Sequence, residues 1–411
     1  MTLGESHCII EIIYLIYVFL IVAVNSNNHP QEINKGRVFR FFLRMITGNM
    51  NSEIIFLFMY DTGSIFEIEQ LNGLLKNQED FSKFEFKKPG PEEIATFNVP
   101  IIFNLKDEIL LIDNTRYLFK VQVSIYKFGG FSIRIRHMFS GTYEQLLKLT
   151  FDKRINNFVN NIVVKAKKKI VIALRKITKV KENDLSERYR FYYIDGDKQL
   201  LLQNHMNLIA GLLIDEEDIS TLEKEYVELV LKKNITYDNT SIFFVGWESA
   251  IIIDKDYIYE HELLMAEIAN LELLETRIQH KRLVDKLKDA NNQIEKLEKD
   301  KISFLSIGGL RKLNESLGRS YDTSKTILNN VEDTAYGYGE WYLSRVYSLF
   351  YDVFKLNNIE SILEKDMESI DNERKFVNDM IEARHENFLE YIVILLIAIE
   401  IIIELFYFMK L

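Results

Sequence analysis

The chain has 411 residues, enough for two or more domains, and its 47% hydrophobic and 12% aromatic content describes a folded polypeptide with a core. Four prolines and 17 glycines leave little room for flexible linkers, and the single cysteine, Cys8, excludes an intramolecular disulfide and fits a reducing compartment. A net charge of −10 argues against a surface that binds nucleic acid throughout, but not against a local basic patch. The three sequons, at Asn234, Asn239 and Asn314, are what chance produces in an asparagine-rich chain.

The first element is an apolar run from Cys8 to Val24, interrupted by Glu11. It lacks the basic leader of a cleaved signal peptide. Its 17 residues sit at the short limit for a membrane span. Lys35, Arg37, Arg40 and Arg44 follow, which places that flank and the domain behind it on the cytoplasmic side. An interfacial helix, or a working start at Met45 or Met50, are the alternatives.

Residues 50–255 read as a mixed α/β head. Strand-like runs occur at Glu53 to Tyr60, Phe97 to Leu105 and Glu108 to Ile112. Val121, Val123 and Ile125 alternate with Gln122 and Ser124. After Phe128-Gly129-Gly130-Phe131, Ile133 and Ile135 alternate with Ser132, Arg134 and Arg136. This pattern predicts a hairpin with a two-residue glycine turn, one apolar face and one solvated polar face. Tyr143 to Ile177 has helical spacing, as does Asp218 to Lys232. A second hairpin is predicted at Ser241 to Asp254, with Gly246 near its turn.

Beyond Asp254 the pattern turns helical. Leu264, Ile268, Leu271, Leu274 and Ile278 recur at three and four residues within a helix predicted from Glu260 to Phe304. Gly308-Gly309 is expected to break it. Further helices are expected from about Leu310 to Val331, from Trp341 to Phe354, and from Asn358 onward. The last runs into Phe388 to Met409, a stretch long enough to cross a bilayer core of ~30 Å. The expected architecture is therefore α+β: an N-terminal segment (1–49), a mixed α/β soluble head (50–255), a long coiled-coil-like helical stalk (256–387) and a C-terminal transmembrane helix (388–409). It describes an integral membrane protein with its head on the cytoplasmic side.

Enzyme motifs fail at particular residues. No Walker A loop is present, Gly337-Tyr338-Gly339 lacks a third glycine, and His261-Glu262-Leu263-Leu264-Met265 lacks the second histidine of a zinc protease. The seven histidines show no ligand spacing, so no catalytic residue, metal or cofactor is assigned. The charge distribution says more. Between Lys153 and Lys181 there are ten cations and no acid past Asp152, among them Lys165, Lys167, Lys168, Lys169, Arg175, Lys176, Lys179 and Lys181. A solvated face, an anionic lipid surface and RNA phosphates all fit such a tract. Glu400 and Glu404, four apart on one helical face, are expected to be intramembrane polar groups that pack at a helix–helix contact.

Three segments, Glu267 to Arg277 (EIANLELLETR), Trp341 to Tyr347 (WYLSRVY) and Leu389 to Leu405 (LEYIVILLIAIEIIIEL), resemble the Rmd/YagE-type family of membrane-anchored proteins, over the last 170 residues or so. That resemblance implies a single C-terminal anchor with Glu400 as part of its pattern. Its mitochondrial members imply a scaffold that tethers translation machinery; no catalytic residues carry over. The expected function is thus a membrane-tethered scaffold that forms a homo-oligomer. It would meet the lipid bilayer through its last helix and a protein, ribosome or RNA partner through the basic tract. The rivals are an ion transporter, which resembles CorA-type magnesium channels in plan but lacks their Gly-Met-Asn signature, and a tethered enzyme.

Overall fold

The computed structural model describes residues 50–67, 70, 71, 73, 82, 83, 100–255, 259–299, 303–336 and 341–410. The apolar run Cys8–Val24, its basic flank and Gly337-Tyr338-Gly339 lie outside the described residues. Residues Met50–Leu411 cluster as one unit.

Ten strands form one sheet: β1 (Met50–Asp61), β2 (Ser82–Lys83), β3 (Ile101–Asn104), β4 (Glu108–Ile112), β5 (Thr115–Ile125), β6 (Gly130–Gly141), β7 (Glu187–Asp195), β8 (Asn234–Ile235), β9 (Ile242–Val245) and β10 (Ser249–Asp254). Their order is β2-β3-β5-β6-β1-β7-β10-β9-β8, with β4 paired to β5 beside β3. Among the described residues only the β7–β10 pair is parallel; the other pairs are antiparallel. β1 lies in the middle and is apolar on both faces, as a strand covered on both sides must be. Ile54, Phe56 and Phe58 enter one core, with α1 (Tyr143–Phe151) and α2 (Lys153–Leu174). After β7 come α3 (Lys198–Asn204) and α4 (Met206–Ile214), and α4 joins this layer, followed by α5 (Lys224–Leu231).

Ile55, Leu57 and Met59 point the other way, into a second core with Phe191 and Ile252. That core is covered by α6 (Glu260–Lys299) and α8 (Trp341–Phe354), whose Phe350 and Phe354 rings meet Tyr189 edge-on. The second half of α6 leaves the sheet and packs with α7 (Ser303–Tyr336) and α9 (Leu356–Lys410). Leu283, Ala290, Leu310, Leu317, Leu363, Ile370 and Val377 form this third core, an intramolecular three-helix stalk. Lys355, in a left-handed conformation (φ 52°), separates α8 from α9.

The predicted hairpin is β5–β6, with Val121 opposite Ile135, Val123 opposite Ile133 and Ile125 opposite Phe131. Its turn differs from the expected two-residue form. The amide of Tyr126 donates to the Gly130 carbonyl (2.9 Å) and that of Gly129 to the Tyr126 carbonyl (3.1 Å), so the loop has three residues. Only Gly129 needs a positive φ, 109°. Gly308 and Gly309 lie inside α7 and break nothing; a Cβ on Gly309 would come 3.0 Å from Leu297, so this glycine lets α6 and α7 approach. Asp218 to Lys232 holds only a short 3-10 turn and α5.

No helix among the described residues is long and apolar enough to cross a membrane. This corrects the expected transmembrane helix at 388–409, and with it the integral-membrane location. Charge spacing supplies the reason. Between Glu390 and Glu400 lie residues 391–399, nine uncharged positions. They span about 14 Å of helix, against the ~30 Å of a hydrocarbon core.

Candidate functional site

The polar face of the β5–β6 hairpin was expected to be solvated, and it is buried under α6. Arg134 and Glu267 are both fully enclosed. The Arg134 guanidinium donates through Nε to Glu267 Oε1 (2.6 Å) and through Nη2 to Oε2 (2.5 Å). Ser132 Oγ donates to Oε1, and the Tyr126 hydroxyl to Oε2 at 2.8 Å. Four donors on two oxygens fill the carboxylate's accepting capacity. Burial alone would lower the Arg134 pKa, but the adjacent Glu267 carboxylate outweighs it and the guanidinium is held charged.

Two residues along β6, Arg136 repeats the pattern nearer the edge. Its Nε donates to Glu53 Oε1 (2.8 Å), its Nη1 to Glu260 Oε1 (2.6 Å) and its Nη2 to the Tyr259 hydroxyl (3.0 Å). Towards the stalk, Arg277 pairs with Glu187, the Tyr347 hydroxyl donates to Glu272, and Arg282 Nη2 donates to Asp61 (2.9 Å). Glu275 stands apart: it is 1% exposed and lies beside the Asp61 carboxylate and the Gln279 amide. Burial first, and the Asp61 carboxylate second, push its pKa well up, so it is held as the neutral acid. This seam locks the sheet to α6. Its best-buried carboxylate, Glu267, has no accepting capacity left for a substrate proton.

A different surface holds the sequence-predicted basic residues. Thr142 and Asp152 cap α1 and α2 through their side chains, which starts α2 at Lys153 and fixes its rotation. Ile155, Val159, Ile162, Ala166 and Ile170 then face the core. Lys165, Lys168, Lys169, Arg175 and Lys176 are left exposed, with Val164 and Ile172 among them. Lys167 departs from the expected group: it turns inward, with its ammonium 4.4 Å from the centre of the Tyr60 ring. Lys179 and Lys181 lie past the helix, on a segment tied to the end of β1 by Lys181 N to Thr62 O (2.8 Å) and Ser64 Oγ to Lys179 O (2.8 Å). Two of these cations meet local acids, Lys165–Glu108 at 3.9 Å and Arg175–Glu182 at 2.7 Å.

A cleft in the head has a volume of about 510 Å³ and is lined by Arg116, Tyr117, His137, Ser140 and Lys148 among others. His137 meets the Leu118 carbonyl through Nδ1 (2.9 Å), and burial lowers its pKa, so the ring is neutral. Among the described residues no three His, Cys, Asp or Glu side chains gather as a metal site.

Glu400 and Glu404 belong to a longer feature. At ~100° per residue, Asp379, Glu382, Glu386, Glu390, Glu400 and Glu404 fall within about 40° of one line along α9. Leu363, Ile370 and Val377, which pack into the stalk, lie on the opposite side.

A protein-family model described as "Uncharacterized protein MJ0711, N-terminal domain" matches residues 51–260. The chain belongs to this family. The match takes in the whole sheet and ends on Glu260, the carboxylate that meets Arg136. The uncharacterized protein MJ0711 of Methanocaldococcus jannaschii is 22% identical over 235 residues, which is 57% of this chain and 70% of that protein. No solved structure matches. These findings replace the expected Rmd/YagE-type membership: the segments that suggested it are apolar and helical patterns, which unrelated stalks share.

Proposed function

We propose that this protein is a scaffold whose head binds a polyanion, RNA, through the exposed cations of α2. The observation that carries the reading is the patch itself. Lys165, Lys168 and Lys169 stand on the outer side of one helix, Arg175 and Lys176 in the turn that ends it, and Lys179 and Lys181 beyond, in a stretch without acids between Lys153 and Lys181. In a chain of net charge −10 this concentrates positive potential on one side of the head. The exposed Val164 and Ile172 add apolar contact beside the charges. The filled coordination of Glu267 and the tight latch beneath α6 suit a rigid platform better than a catalytic site.

The test uses the full chain and a fluorescent single-stranded RNA, titrated at 50 and 200 mM salt. Binding is expected to weaken with salt at a log–log slope near −3, from ~0.7 per phosphate contact and four contacting lysines. The Lys165→Glu, Lys168→Glu, Lys169→Glu, Lys176→Glu variant should lose it while keeping the wild-type circular dichroism. RNA affinity that this variant retains, or no affinity at low salt, would refute the proposal.

A further inference from the structure

The helices on the first core part company above β7. α2 lies over β6 and α4 over β10, and a cavity of about 220 Å³ stands between them on β1 and β7. Its floor is two cross-strand pairs, Phe58 with Arg188 and Phe56 with Arg190. Asn156, Val159 and Asn160 of α2 form one wall, and Asp215, which ends α4, stands on the other. The space is smaller than the ~300–1,000 Å³ of a drug-sized site, so it admits one ring system rather than a larger ligand.

The two arginines differ in what they have left to donate. Arg190 is paired with Asp215, and its guanidinium lies 5.9 Å from the centre of the Phe151 ring. Arg188 lies 5.6 Å from the centre of the Phe58 ring and forms no ion pair among the described residues. Its N–H fork is open to a ligand. The acceptors come from α2. Asn156 Nδ2 donates to the Thr150 carbonyl (3.0 Å), which orients that carboxamide and leaves Oδ1 to accept. The Asn160 side chain, one turn on, has no hydrogen bond among the described residues. A simple anion would suit Arg188 but would meet the lone pairs of Asn156 Oδ1 and the Asp215 carboxylate. The cavity instead fits a flat ring that accepts along one edge and donates along another, with Phe58 and Val159 as apolar surface for its face.

Guanine divides its edges in this way: O6 and N7 accept, while N1–H and the N2 amino group donate. Adenine and cytosine would set an amino group against the guanidinium, and uracil offers O4 alone. We propose that the cavity takes one unstacked guanine of the bound RNA strand. Arg188 donates to O6 and N7, and Asn156 and Asn160 accept from N1–H and the N2 amino group. The assignment rests on RNA binding by α2 and adds base selection to it. Sequence is read from single-stranded RNA through such splayed bases. The placement suits it. At ~100° per residue Asn156, Asn160 and Lys167 fall within about 40° on one flank of α2. The exposed Lys168 follows Asn160 by about two turns, ~12 Å along the axis. A strand whose phosphates lie on the outer cations can thus turn one base under that flank.

The test titrates the full chain, at one low salt concentration, with three fluorescent strands: oligouridine, the same strand with one central guanosine, and the same strand with one central adenosine. The guanosine strand is expected to bind about tenfold more tightly than either of the others, the discrimination of one bidentate contact. Arg188→Lys keeps the charge and loses the fork, and Asn160→Ala removes an acceptor from an α2 surface position. In each variant the ratio of guanosine-strand to oligouridine affinity should fall towards one, with wild-type circular dichroism. The quadruple lysine variant of α2 should instead weaken all three strands alike. Equal wild-type affinities for the guanosine strand and oligouridine would overturn the pocket and leave RNA binding by α2 standing. So would a preference for adenosine, or a guanosine preference that survives Arg188→Lys or Asn160→Ala. No binding of any strand would overturn both.

Discussion

Glu267→Ala would remove one carboxylate from the seam and leave the Arg134 guanidinium buried. The wild-type pair is bidentate and fully enclosed, and Ser132 and Tyr126 also donate to it. Removing one partner of such a pair costs about 3–5 kcal/mol, because the remaining charge keeps its desolvation penalty. Glu260 stands 3.5 Å from Arg134 Nη1 and offers partial compensation, which places the cost towards the lower end of that range. A domain stable by roughly 5–15 kcal/mol loses a large fraction of its margin. The double variant Arg134→Met/Glu267→Leu should recover most of the loss, since it removes both charges and keeps the volume, although Ser132 and Tyr126 lose their acceptor. Urea unfolding followed by circular dichroism measures all three proteins at equal m-values. A cost below about 1 kcal/mol for Glu267→Ala, or a double variant less stable than the single one, would refute the argument that an uncompensated charge dominates.

Glu275→Gln should change the pH dependence of stability. A raised folded-state pKa means that the native protein holds this proton more tightly. The contribution is complete below the ordinary value of 4.5 and is lost as pH rises towards the folded value, at up to ~1.4 kcal/mol per pH unit. The variant should therefore gain on the wild type between pH 5 and 7, and parallel stability curves would refute the neutral-acid assignment. Gly129→Ala should cost about 1–3 kcal/mol, because its φ is 109° and a Cβ would approach the Ser64 carbonyl to 2.3 Å. Gly308→Ala, in the interior of α7 with nothing within 4 Å, should instead stabilise by about 1 kcal/mol; thermal denaturation distinguishes the two signs. Phe350→Ala should cost about 3–5 kcal/mol by opening a cavity between α8 and the sheet, read as a shift of the urea midpoint.

Elements with a clear period and a clear punctuation were legible in the sequence. Glu108 to Ile112 and Trp341 to Phe354 have the bounds their patterns predict. β7 was not foreseen, although Tyr189 and Phe191 alternate with Arg188 and Arg190 there. Arginine at every second position resembles a surface segment until Phe58 and Phe151 are found beneath those guanidinium groups. The seam was hidden for a related reason. A strand face carrying Ser132, Arg134 and Arg136 looks solvated when only neighbours in sequence are considered, and its cover arrives more than 120 residues later. One signal was available. Glu267 shares a helical stripe with Leu264, Ile268 and Leu271, and a carboxylate inside an apolar stripe calls for a buried cation or a proton of its own. The last helix shows the opposite case: its run from Asn358 onward as one helix was legible, as was the shared face of Glu400 and Glu404, while its apolar residues suggested lipid.

α6 belongs to two cores. Its first half, through Ile278, closes the sheet, and its second half, from Leu283 to Ile294, fills the stalk. No irregularity separates them, so neither half can melt without loosening the other, and head and stalk share one unfolding event. The same continuity makes α6 a strut. Leu283 to Lys299, 17 residues, sets a stand-off of about 25 Å between the sheet and the point where α9 continues alone. The sheet and the far part of α9 are thereby kept at a distance determined by the number of residues in that rod.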